Sequence, residues 1–234
     1  MIDIVRLGSG SCLGPCPGPG ADPGSELDAM LAEARACRLC EAELPLGPRP
    51  ILRGRASARL MIVSQAPGTR VHETGLSFND RSGDRLRGWL GIDRETFYDE
   101  SRIALLPMGL CYPGVDARGG DRPPRPECAP LWHPRLRPLF PEIRLTLLVG
   151  AYAIRHDLPA ARGAMTAVVS RWREFLPRSF PLPHPSWRNT GWLARNPWFE
   201  SEALPALRAR VAAALDPVLL QCQQGDKSGI EIYA

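Results

Sequence analysis

The sequence predicts a three-layer α/β/α domain with a short central parallel sheet, and three observations carry that prediction. Short apolar runs at 59–64, 103–107 and 145–149 alternate with stretches of helical periodicity. Each run is continuously apolar rather than alternating, as in strands buried on both faces. The loops Ser64–Gly68 (SQAPG) and His184–Asn189 (HPSWRN) follow such runs, which is where parallel sheets place their ligands.

Residues 1–24 are rich in Gly and Pro, have no apolar periodicity and read as a disordered leader that contains Cys12 and Cys16. Ser25 opens a first helix, with Asp28 as its capping-box partner. Leu27, Met30, Leu31 and Ala34 share one face of this helix, which delivers Cys37 and Cys40 at its C-terminal end. Arg59–Ser64, Ile103–Pro107 and Leu145–Val149 are strands, and Phe180–Pro183 is a weaker fourth. Helices are expected at 82–91, 125–139, 150–157, 160–172 and 199–215. The domain should span 25–216, followed by a tail, 217–234, whose Cys222 carries no clear signal.

The chain has 234 residues, 44% hydrophobic and 23% charged, as in soluble globular proteins with a sizeable core. No apolar run approaches the roughly 20 residues of a membrane span. Residues 1–10 also lack the apolar core of a signal peptide. A cytoplasmic protein is therefore expected, in a compartment where grouped cysteines more often bind metal than form disulfides. The net charge is +4, and Lys227 is the one lysine. A GC-rich coding sequence would produce such an arginine bias, and the same bias would furnish bidentate phosphate ligands.

Cys37 and Cys40 form a C-x2-C pair, joined later by Cys111 and Cys128. Spacing alone leaves open an iron–sulfur cluster, a zinc site or four buried thiols acting as small apolar residues. Zinc fits less well, because structural zinc sites usually collect two tight pairs and Cys111 and Cys128 are not one.

Together with these cysteines, SQAPG, GLSFND (75–80) and HPSWRN resemble the uracil-DNA glycosylase superfamily, in particular its iron–sulfur-containing microbial branches. The resemblance covers roughly Leu27 to Leu215. It implies a [4Fe–4S] cluster on Cys37, Cys40, Cys111 and Cys128. It also implies a monomer that binds DNA and hydrolyses the N-glycosidic bond of uracil or another deaminated base. Asp80 would be the catalytic carboxylate, doubling as the cap of the following helix. His184 would donate to the departing base. Gln65, Ala66, Phe78 and Met108 would surround that base, with Phe78 stacking on it. Pro67, Gly68, Pro185, Ser186, Trp187, Arg188 and Asn189 would meet DNA, Trp187 as a wedge and Arg188 at phosphate.

The chain departs from the family pattern at three positions. Ala66 stands where the uracil-specific enzymes carry a water-activating aspartate, and Gly68 where they carry a tyrosine that excludes thymine. Pro107 replaces the asparagine that reads uracil, which leaves the backbone of Met108 and Gly109 as candidates for that contact. The rival reading is a catalytically inactive iron–sulfur nucleic-acid-binding protein of the same fold. With no lysine near the motifs to form a Schiff base, an active enzyme would be monofunctional.

Overall fold

The computed structural model describes residues 23–216 apart from 118 and 162. The leader and tail, with Cys12, Cys16, Cys222 and Lys227, therefore lie outside the described residues. Four parallel strands form one sheet: β1 Leu60–Val63, β2 Ile103–Leu105, β3 Leu145–Val149 and β4 Ser179–Leu182, in the order β2-β1-β3-β4. Leu60 stands opposite both Ile103 and Leu145, and Leu148 opposite Pro181. Every residue of β1 and β2 is buried, so both sheet faces are covered. Neighbouring side chains of a strand point to opposite faces, which is why these runs are continuously apolar. Pro181 weakens the strand signal of β4, but β4 is an edge strand and tolerates it.

Nine α-helices accompany the sheet among the described residues. Helix α1 (Pro23–Arg35) precedes β1, and α2 (Thr69–Thr74), α3 (Arg81–Leu90) and α4 (Arg94–Tyr98) follow it. Helix α5 (Cys128–Leu136) follows β2, and α6 (Ala151–Asp157) and α7 (Met165–Ser170) follow β3. Helices α8 (Thr190–Arg195) and α9 (Leu204–Leu215) follow β4. The first helix starts at Pro23, not at Ser25, with the proline in the first turn, where it is well accommodated. Helices α2, α4 and α8 have five or six residues each, too few for an apolar period to show in the sequence.

The chain leaves β1 toward the β2 edge and leaves β3 toward the β4 edge. With right-handed crossovers, these connections cover opposite faces of the sheet, and a crevice opens between the carboxyl ends of β1 and β3. Helix α9 lies over both of these strands and packs against α3, burying Leu207 and Val211 completely. Helix α1 packs against α5, and this brings the C-x2-C segment to Cys128.

Candidate active site

A cleft of about 460 Å³ opens at the carboxyl end of the sheet. The loop after β1 supplies Ser64 to Gly68, and the loop after β2 supplies Pro107, Pro113 and Asp121. Ser77, Phe78 and Asp80 approach from before α3, and His184 with Ser186 to Asn189 from after β4. Segments distant in the sequence thus converge where the topology predicts a ligand site.

The first two loops are stitched together. The Met108 amide donates to the Ser64 carbonyl at 2.8 Å, and the Gly109 amide to the Gln65 carbonyl at 2.9 Å. Both N–H groups are thus engaged within the fold, so any contact with a base through this backbone falls to the carbonyls. Met108 is itself buried and absent from the cleft lining. Pro107 does line the cleft, but its carbonyl bonds Nε2 of His133 at 3.1 Å. His133 is only 2% exposed, beneath the Pro107 turn. A Cβ at Gly68 would meet nothing within 4 Å, so the wall is open at that position.

Phe78 and Asp80 are held by one turn. Phe78 is the sole non-glycine residue with positive φ among the described residues, at 56°. Such backbone costs on the order of 1–3 kcal/mol and clusters at functional sites. Arg87 fixes it by donating from Nη1 to the Phe78 carbonyl at 3.2 Å, while Nη2 pairs with Asp84 at 2.6 Å. The Phe78 ring meets Phe97 edge-on at 5.9 Å. Asp80 caps α3, its Oδ1 accepting from the Gly83 amide at 3.0 Å. The carboxylate therefore has a fixed direction and lines the cleft.

His184 is positioned by its own loop. The Ser186 amide donates to its Nδ1 at 3.2 Å, and Asn189 Nδ2 donates to its carbonyl at 2.7 Å. Because Nδ1 accepts, the proton of the neutral imidazole resides on Nε2. Burial pushes the pKa below the ordinary 6.5, opposed by the charges of Asp121 and Asp80, so the neutral donor is favoured. Arg85, which no motif marks, donates from α3 to the Ser186 carbonyl at 3.0 Å and anchors the loop. Trp187 is 70% exposed and Arg188 is exposed beside its ring. Pro185, expected at DNA, is buried beneath the loop and outside the cleft lining, because the chain turns inward there. Asn189, also expected at DNA, does line the cleft, with its amide nitrogen donating into the loop itself.

Cys37, Cys40, Cys111 and Cys128 line one small cavity with Leu110, Arg125 and Trp132. Burial raises the Cys111 thiol to about 11 and the Cys128 thiol to about 12, with the neighbouring cysteines adding to both shifts. Cys128 accepts from the Leu110 amide at 3.3 Å. Among the described residues no three His, Cys, Asp or Glu side chains are gathered as for a single metal ion. The donor set is four soft thiols from three segments around a shared cavity, with a backbone N–H directed at one sulfur. That chemistry suits a thiolate-held cluster better than a hard cation.

Residues 52–208 match the family model of the uracil DNA glycosylase superfamily.

Proposed function

The chain belongs to the uracil DNA glycosylase superfamily, and from that premise we propose that it removes uracil or another deaminated base from DNA by hydrolysing the N-glycosidic bond. The observation that carries this reading is the tautomer of His184. The Ser186 amide on Nδ1 leaves Nε2–H as a fixed donor in a cleft that also holds an aromatic ring and a carboxylate.

The target base leaves the stack, at a cost of a few kcal/mol, and stacks on Phe78. Exposed Trp187 fills the gap left in the duplex. As the bond from the base nitrogen to C1′ breaks, its electron pair stays on the base. His184 Nε2–H donates to the base oxygen where that charge appears. Asp80 orients a water, whose oxygen bonds to C1′ of the sugar cation and whose proton passes to solvent. The base anion takes up a proton from solvent, and the products are a free base and an abasic site. The one lysine, Lys227, lies far from these motifs in the sequence, in keeping with a monofunctional enzyme.

Cys37, Cys40, Cys111 and Cys128 would hold a [4Fe–4S] cluster, which supplies a structural tie between the end of α1 and the segment after β2. No helix among the described residues is long and apolar enough to cross a membrane, and the reading includes a monomer acting in the cytoplasm.

Pro107 favours a second reading, in which the protein binds nucleic acid without cleaving it. That position has no side-chain donor or acceptor, and its carbonyl is bonded to His133. Single-turnover assays on oligonucleotides bearing uracil, hypoxanthine, xanthine and mismatched thymine separate the two. Release of any of these bases supports the glycosylase. Tight binding without release of any base supports the binding protein.

A further inference from the structure

The segment between Cys111 and Cys128 is not a plain loop. Val115 and Asp121 form an antiparallel bridge. The Asp116 amide donates to the Gly120 carbonyl at 2.7 Å, and the Arg122 amide to the Gly114 carbonyl at 2.9 Å. Gly119, at φ 72°, turns the chain through the left-handed region that glycine adopts freely. The result is a short hairpin whose returning arm carries Asp121.

Two loops of the cleft hold this hairpin on either side of Asp121. Arg188, from the loop after β4, donates to the Gly119 carbonyl at 2.8 Å. Gln65, from the loop after β1, donates through Nε2 to the Arg122 carbonyl at 3.4 Å. Asp121 is thereby fixed at the cleft rim, exposed and part of its lining. Its carboxylate forms no ion pair among the described residues. It lies close enough to His184 to pull that imidazole's pKa upward, ahead of Asp80 in effect.

Resting on the glycosylase reading above, we propose that Asp121 is a second catalytic carboxylate, whose charge offsets the cation that develops on the sugar as the base departs. Asp80 and Asp121 are the two carboxylates among the residues lining the cleft, and they enter from different segments. One oxygen of Asp80 is committed to the α3 cap. Asp121 carries no such structural duty. It takes no proton in this role; it acts through charge while water adds at C1′.

The role predicts opposite effects on rate and on binding. In the ground state a carboxylate at the cleft rim repels DNA phosphates, whereas in the transition state it faces a cation. Asp121→Asn should therefore lower single-turnover release of the base that the wild type cleaves by about 10²-fold, the lower end of what loss of one electrostatic stabiliser costs. Affinity for the same duplex, read by fluorescence anisotropy, should stay equal or tighten, and Asp121→Glu should restore part of the rate. An unchanged rate in Asp121→Asn overturns the inference and leaves the glycosylase reading standing. Rate and affinity falling together also overturn it, since Asp121 would then merely shape the hairpin. A wild type that releases no base overturns the glycosylase reading and this inference with it.

Discussion

Gly83 lies directly beneath the Phe78 carbonyl: a Cβ on Gly83 would fall 1.7 Å from that oxygen. No side-chain adjustment relieves an overlap with backbone. The left-handed backbone of Phe78, the cap from Asp80 and the aromatic wall of the cleft therefore all depend on a hydrogen atom at position 83. Gly83→Ala should destabilise the protein by more than about 3 kcal/mol, well beyond an ordinary surface substitution. Any folded fraction should show a displaced Phe78. Denaturant unfolding checks the first effect and loss of base capture the second. A variant as stable as the wild type would mean that this turn does not exist as described.

His133 gives the fold an acid-labile point. Burial depresses its pKa from 6.5 to about 4, only partly offset by the bond to Pro107. The unfolded chain thus binds a proton between these values while the folded chain does not. The stability contributed by neutral His133 is complete above pH 6.5 and is lost as pH falls toward 4, a total on the order of 3 kcal/mol. Urea midpoints measured across that window should fall with pH. In His133→Leu the slope should flatten, with the whole curve lowered by the lost bond to Pro107. An unaltered slope in that variant would assign the acid sensitivity to other groups.

Iron content tests the cysteine cavity. Protein purified without oxygen should be brown, absorb near about 400 nm and carry roughly four irons, as expected of a cluster held by four thiolates. Cys128→Ser should lose the colour and much of its solubility, because Cys128 begins α5 and faces the segment from α1. Colourless wild-type protein carrying one zinc would reject the cluster.

The sheet and the larger helices were legible because burial on both faces and the helical period both leave long apolar signatures in the sequence. The run Leu60–Val63 and the repeat through Leu204–Leu215 are examples. The chemistry-bearing loops were legible by their motifs, and the structure gathers Gln65, Phe78, Asp80 and His184 into one cleft. What stayed hidden depends on pairing across the chain. Arg85 anchors Ser186 from 101 positions away, and nothing local marks it. Asp121 lies in a segment that reads as a proline-rich loop, its arginines balanced by acidic residues. Its one available signal was Gly119–Gly120 beside Val115, a glycine pair of the kind that turns hairpins. The burial of His133 was hidden because its helix is short and proline-interrupted, so the apolar period does not place its face.

The decisive prediction concerns His184 and Asp80. With Nδ1 occupied by the Ser186 amide, protonation of the imidazole requires breaking that bond, so the active form is neutral with its proton on Nε2. Base release should therefore fall on acidification, with the limb lying below pH 6.5, where burial has moved the group. His184→Ala should abolish the limb and lower single-turnover release by about 10²–10³-fold, the loss typical of one oxyanion donor. Duplex affinity should barely change, because the interaction strengthens as the bond breaks. Asp80→Asn should cost a comparable factor with intact stability, since asparagine caps a helix as well as aspartate does. If Asp80→Asn instead left both stability and rate unchanged, Asp80 would be a cap alone. Release at wild-type rates from both variants would show that the chemistry lies outside this cleft.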